Sequence, residues 1–111
     1  MPRLRILPLD VIVEAPDGDT IMASANEAGL YWPTTCGGQG ICTSCACSID
    51  EGADSLEPMG RSEKRTLSEE MGEARVVAGR LRLACQTRMH GDVTVTKLGV
   101  RRAGASLLAI D

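Results

Sequence analysis

The chain predicts an α+β fold in one domain: a mixed sheet, a packed helix and a loop rich in cysteine and glycine. Three observations lead there. Alternation of apolar and other residues recurs near the start, at Arg3-Leu4-Arg5-Ile6, and again late, at Asp92-Val93-Thr94-Val95-Thr96-Lys97, which is the pattern of half-buried strands. Between them, residues 19–28 carry a cap, an apolar stripe and a terminating glycine, which together specify a helix. The length, 111 residues, suits one domain with a modest core.

Each element follows in order. Residues 3–8 and 11–15 read as two short strands, joined tightly through Pro8-Leu9-Asp10 and followed by the turn Ala15-Pro16-Asp17-Gly18. Asp19 or Thr20 caps a helix that runs to about Ala28 and stops at Gly29, with Ile21, Met22, Ala25 and Ala28 as its apolar stripe. Tyr31-Trp32-Pro33 leads into the cysteine loop, and Trp32 reads as a core or lid residue. From Cys45 to Ile49 alternation resumes as a strand, closed by Asp50-Glu51-Gly52.

Residues 61–71 read as a second helix, with Ser62 as cap and Leu67 and Met71 four apart on one face. Val76 and Val77 suggest a short edge element. Leu81, Leu83 and Cys85 alternate with Arg80, Arg82 and Ala84, as in a strand that delivers Cys85 inward. Residues 92–97 form the clearest strand, with Val93 and Val95 on one face. The expected division is a domain over 1–98 and a tail over 99–111. Packing on the sheet, contact with a partner and mobility remain alternatives for that tail.

The chemistry lies in the cysteines. Cys36, Cys42 and Cys45 stand in ten residues together with Gly37, Gly38 and Gly40, and Cys85 follows after 39 intervening residues, giving C-x5-C-x2-C…C. A [2Fe–2S] cluster needs four thiolates, two per iron, and its bridging sulfides attract hydrogen bonds while repelling bulky side chains. A loop bent tightly around it, with N–H groups turned inward, is work for glycine. Thr43 and Ser44 add hydroxyl donors.

Other chemistries fit less well. Structural zinc favours two short cysteine knuckles, and Cys85 has no near companion. A disulfide framework favours an even count in a secreted chain, whereas this one has five cysteines. A catalytic thiol needs a base, and the one histidine, His90, reads as a solvated turn residue beside Gly91. The glycines of the loop lack the Lys-Ser/Thr of a phosphate-binding loop, and no dinucleotide fingerprint is present, so the chain does not read as an enzyme in its own right. The fifth thiol, Cys47, reads as a buried small hydrophobe, with a substitute ligand or an oxidation-sensitive neighbour as the sharper alternative.

The loop and the segment Arg82-Leu83-Ala84-Cys85-Gln86-Thr87 resemble the adrenodoxin and putidaredoxin branch of the [2Fe–2S] ferredoxins. The loop is one residue longer than the plant-type C-x4-C-x2-C spacing. It is also similar to other bacterial [2Fe–2S] ferredoxins and to the ferredoxin domains of some oxygenase reductases. The resemblance spans about residues 3–98. It implies the β-grasp (ubiquitin-like) ferredoxin fold, a [2Fe–2S] cofactor held by Cys36, Cys42, Cys45 and Cys85, and a monomeric one-electron carrier.

The implied partners are a flavin-dependent ferredoxin reductase and a cytochrome P450 or other terminal oxygenase. Iron–sulfur cluster assembly is an alternative destination, and a protective or redox-sensing ferredoxin that binds an enzyme is another. One departure stands out. Where adrenodoxin-like proteins carry an acidic docking helix, this segment begins with Arg61, Lys64 and Arg65 and turns acidic only at Glu69, Glu70 and Glu73.

Charge and composition bound the partners further. The net charge of −3 conceals an asymmetry: residues 1–60 hold nine acids against two bases, or −7, and residues 61–111 hold ten bases against six acids, or +4. That is either ordinary solvated surface or an acidic face that steers a basic partner. Tyr31 and Trp32 are the only aromatics, too few for base stacking, which argues against nucleic acid. No apolar run approaches the roughly 18 residues of a membrane span. The first residues lack the apolar core of a signal peptide, and five cysteines suit a reducing compartment, so the expected location is the cytoplasm.

Overall fold

A computed structural model describes residues 2–33 and 44–102. In chain order the elements are β1 (Arg3–Leu7), β2 (Val11–Glu14), α1 (Ile21–Glu27), β3 (Leu30–Tyr31), β4 (Ala46–Glu51), a 3-10 turn (Ala53–Ser55), α2 (Arg61–Met71), α3 (Glu73–Gly79), β5 (Leu81–Leu83), β6 (Val93–Thr96) and β7 (Arg101–Arg102). Five strands make one mixed sheet in the order β2-β1-β6-β4-β5, and β3 pairs with β7 apart from it. β1 and β6 run parallel at the centre, while every other pairing is antiparallel.

Register explains the core. Leu4 lies opposite Val93 and Ile6 opposite Val95, so the period of two places all four on one buried face. Cys47, Ile49 and Leu83 continue that layer, and α1 covers it with Ile21 and Ala25. With almost no aromatic volume, aliphatic side chains fill the interior around a single buried Trp32. The described chain has α+β architecture, and none of its helices is long and apolar enough to cross a membrane.

Several boundaries fall where the sequence puts them. Thr20 caps α1, its Oγ1 accepting from the Ala23 N–H at 3.1 Å, and Gly29 ends the helix at φ +85°. In the apolar stripe Ala28 proves exposed, and Ser24 takes a buried place instead. β4 continues two residues past Ile49, through an irregularity opposite β6 that ends at Gly52. There φ is +87°, and an added Cβ would collide with the Asp92 carbonyl.

Three local expectations are corrected. Val76 and Val77 lie in α3 and form no edge element. β-branched propensity is weak, and half-buried Val76 packs on the core from a helix entered at Gly72. α2 is capped at Gly60 without a side-chain bond, which leaves Ser62 inside the first turn. β5 ends at Leu83, and Cys85 sits in the turn beyond it, because Ala84 is buried as well and the alternation breaks. The first tail residues are ordered against the domain: Val100 is buried, and Arg101 and Arg102 pair with Tyr31 and Leu30.

Candidate metal centre

Two of the predicted thiols meet in space. Cys45 immediately precedes β4 and Cys85 follows β5, and these strands are antiparallel neighbours with Ala46 opposite Leu83. One step further along the register, the Ala84 N–H donates to the Cys45 carbonyl at 3.4 Å. The two buried sulfurs then stand 3.3 Å apart, although 40 residues separate them in sequence. A disulfide would need about 2.05 Å. Two thiolates on one tetrahedral metal at about 2.3 Å stand roughly 3.8 Å apart, so the pair fits a shared metal with a small adjustment.

Both thiols are held by backbone and side chains from several elements. The Trp32 indole Nε1–H donates to the Cys45 carbonyl at 3.1 Å, tying the start of the cysteine loop to its end. The Lys97 ammonium donates to the Ser44 carbonyl at 2.7 Å. On the other side, the first N–H groups of α1 reach the Cys85 turn, Ile21 N–H to the Thr87 carbonyl at 2.9 Å and Met22 N–H to that of Ala84 at 3.1 Å. The Gln86 amide approaches the Cys85 sulfur at 3.6 Å.

Sequence reading missed the residue that clamps this turn. Glu63 on α2 is buried, and its carboxylate accepts from Arg82 Nε at 2.7 Å, from Arg82 Nη2 at 3.1 Å and from the Leu83 N–H at 2.9 Å. Thr87 Oγ1 lies 3.4 Å from the same carboxylate and 2.7 Å from the Leu83 carbonyl. One carboxylate therefore grips the chain on both sides of Cys85. The available signal was weak: an acid in the first turn of a helix usually serves the helix dipole and faces water.

Cys47 points into the core beside Ile49, and burial pushes its thiol up to about 12, against the smaller opposing pull of Lys97 and Arg82. Its burial in the core cluster is that of a small hydrophobe. His90 is indeed exposed, but it is not simply solvated. Its Nδ1 lies 3.0 Å from Asp17 and its Nε2 2.7 Å from Glu57, and the hydrogen bonds to Glu57 and then Asp17 raise its pKa.

Cys36, Gly37, Gly38, Gly40, Cys42 and Thr43 lie outside the described residues. Ser44 is described through its carbonyl, which receives the lysine.

The family described as the 2Fe-2S iron-sulfur cluster binding domain matches residues 4–90. Over 97 residues, 86% of this chain and 97% of the relative, the chain is 32% identical to the 2Fe-2S ferredoxin-5 of Aquifex aeolicus. It is 30% identical over 104 residues to the 2Fe-2S ferredoxin of Escherichia coli K12, covering 88% of this chain and 90% of that one. Among solved structures, the ISC-like [2Fe-2S] ferredoxin (FdxB) of Pseudomonas putida JCM 20004 superposes with a TM-score of 0.72 at 30% identity, over 87% of this chain and 92% of that one.

Proposed function

The chain belongs to the 2Fe-2S iron–sulfur cluster binding family, with the bacterial [2Fe–2S] ferredoxins as its relatives, and from there we propose that it carries single electrons from a flavin-dependent reductase to a terminal oxygenase or cytochrome P450. The cofactor of this family is a [2Fe–2S] cluster. In this reading Cys36, Cys42, Cys45 and Cys85 hold it, and the observation that carries the reading is the convergence of Cys45 and Cys85 at 3.3 Å.

When bound, the cluster supplies a reversible ferric/ferrous couple. The chain's own residues set access and potential. Buried Trp32, bonded to the Cys45 carbonyl, keeps water from the interior beside that residue. The Gln86 amide beside the Cys85 sulfur favours the reduced, more negative state, as does the Lys97 charge beside Ser44. Anaerobic purification followed by visible absorption and low-temperature EPR tests this. A brown protein, EPR-silent as isolated and giving an S = 1/2 signal after dithionite, is expected. A colourless zinc protein would end the carrier reading.

A second destination, iron–sulfur cluster assembly, is favoured by the likeness to the ISC-like ferredoxin and by the basic start of α2. Reduced protein that accelerates cluster build-up on a scaffold protein, but does not support turnover of an oxygenase, would select it.

A further inference from the structure

The ribbon of β3 and β7 stands apart from the main sheet, with Leu30 buried in the core, and in sequence it leads into the cysteine loop. Tyr31 leads through Trp32 and Pro33 to Cys36 within five residues, and Lys97, just after β6, donates to the Ser44 carbonyl. The ribbon is pinned in place: Val100 is buried, and Gly99 takes φ +91° where a Cβ would press on the Pro33 ring at 3.0 Å.

What it presents to solvent is basic and partly apolar. Arg101 and Arg102 are exposed, and among the described residues neither forms an ion pair with a carboxylate. The Arg101 guanidinium lies over the Tyr31 ring, 4.8 Å from its centroid, and Tyr31 itself is 43% exposed. Leu98, beside them in sequence, is 74% exposed. Arginine, tyrosine and an exposed aliphatic residue are the composition of an interface centre rather than of ordinary surface.

We infer that Tyr31, Leu98, Arg101 and Arg102 form a docking surface for the carboxylate-rich face of a redox partner protein, on the segments that Trp32 and Lys97 tie to the Cys45 and Ser44 carbonyls. The choice of occupant follows from charge complementarity: two exposed guanidiniums that pair with no carboxylate among the described residues attract carboxylates and reject a basic partner. This reverses the steering that the acidic amino-terminal half suggests, because the sign that matters is the local one at the docking surface. The inference rests on the carrier reading. In the encounter one electron leaves the reduced cluster and one acceptor is reduced, with no proton or bond exchanged.

The test uses two one-electron haem acceptors of opposite surface charge, acidic cytochrome b5 and basic cytochrome c. Binding of each to the holoprotein is measured by calorimetric titration, and reduction of each by the dithionite-reduced protein is followed by stopped flow at low and high salt. With R101E/R102E the expected result is about a tenfold loss in both affinity and rate for cytochrome b5 at low salt, vanishing at high salt, with cytochrome c unchanged or faster. R102E alone, at a side chain with no polar contact among the described residues, should give a smaller loss of the same sign and guards against unfolding of the ribbon. Equal effects on the two acceptors, or none on cytochrome b5, would overturn the surface. Absence of the cluster's absorption and EPR signal would instead defeat the carrier reading, and the titration would still decide the surface.

Discussion

Three buried side chains near the proposed metal centre differ in what they do. Cys85→Ser should abolish the EPR signal and the bound iron, because a hydroxyl is a poor replacement for a soft thiolate. Cys47→Ala should leave both intact, at a cost of about 1 kcal/mol for a small buried void, read from urea unfolding. Glu63→Gln keeps the shape but removes the charge that Arg82 and the Leu83 N–H share. Breaking one partner of a buried pair leaves the other uncompensated, so the variant should lose about 2–4 kcal/mol of stability. Iron should also be released faster on heating, since the Cys85 turn loses its grip; unchanged release with lowered stability would make Glu63 a purely structural residue.

At the scale of elements, two joints matter. Gly52 ends β4 at a φ of +87° against the Asp92 carbonyl, so Gly52→Ala adds both left-handed strain and a collision. A loss of about 2 kcal/mol or more in urea unfolding is expected. The second joint ties the turn before α1, the segment after the 3-10 turn and the entry to β6 through Asp17, Glu57 and His90. The folded pKa of His90 is raised by these hydrogen bonds. Its stabilising contribution is therefore complete below the unfolded value near 6.5 and is lost as pH rises through the folded value. The urea midpoint should fall between pH 6 and pH 9 in the native chain, and His90→Gln should flatten that slope. α2 belongs to this scale too: with Glu63 turned inward, its exposed first turns present Arg61, Lys64 and Arg65 and its last turn Glu69 and Glu70, so the helix offers a partner mixed charge rather than an acidic face.

Across the whole molecule, the proposed metal centre would act as a staple. A chain of 111 residues with almost no aromatic core depends on ties between distant segments, and Cys45 and Cys85 join two strands that the sequence holds 40 residues apart. Removal of iron by a chelator under acid should lower the thermal midpoint by roughly 10 °C or more. Loss of visible colour should coincide with loss of circular dichroism; a midpoint unmoved by iron removal would show that the aliphatic core suffices.

Local chemistry by itself determined the strands with clean alternation, the Thr20-capped helix and the inward face of Cys47, because each depends on neighbours a few positions away. Tertiary structure decided the rest. It made α3 from two valines that prefer strands, ended β5 before Cys85, turned Glu63 inward and set His90 between two carboxylates. Each of those outcomes depends on partners 19 to 73 residues distant, at Arg82, Glu57 and Asp17, or on which surface is left to cover. Burial and charge pairing are settled only when such partners arrive, and no spacing along the chain records their arrival.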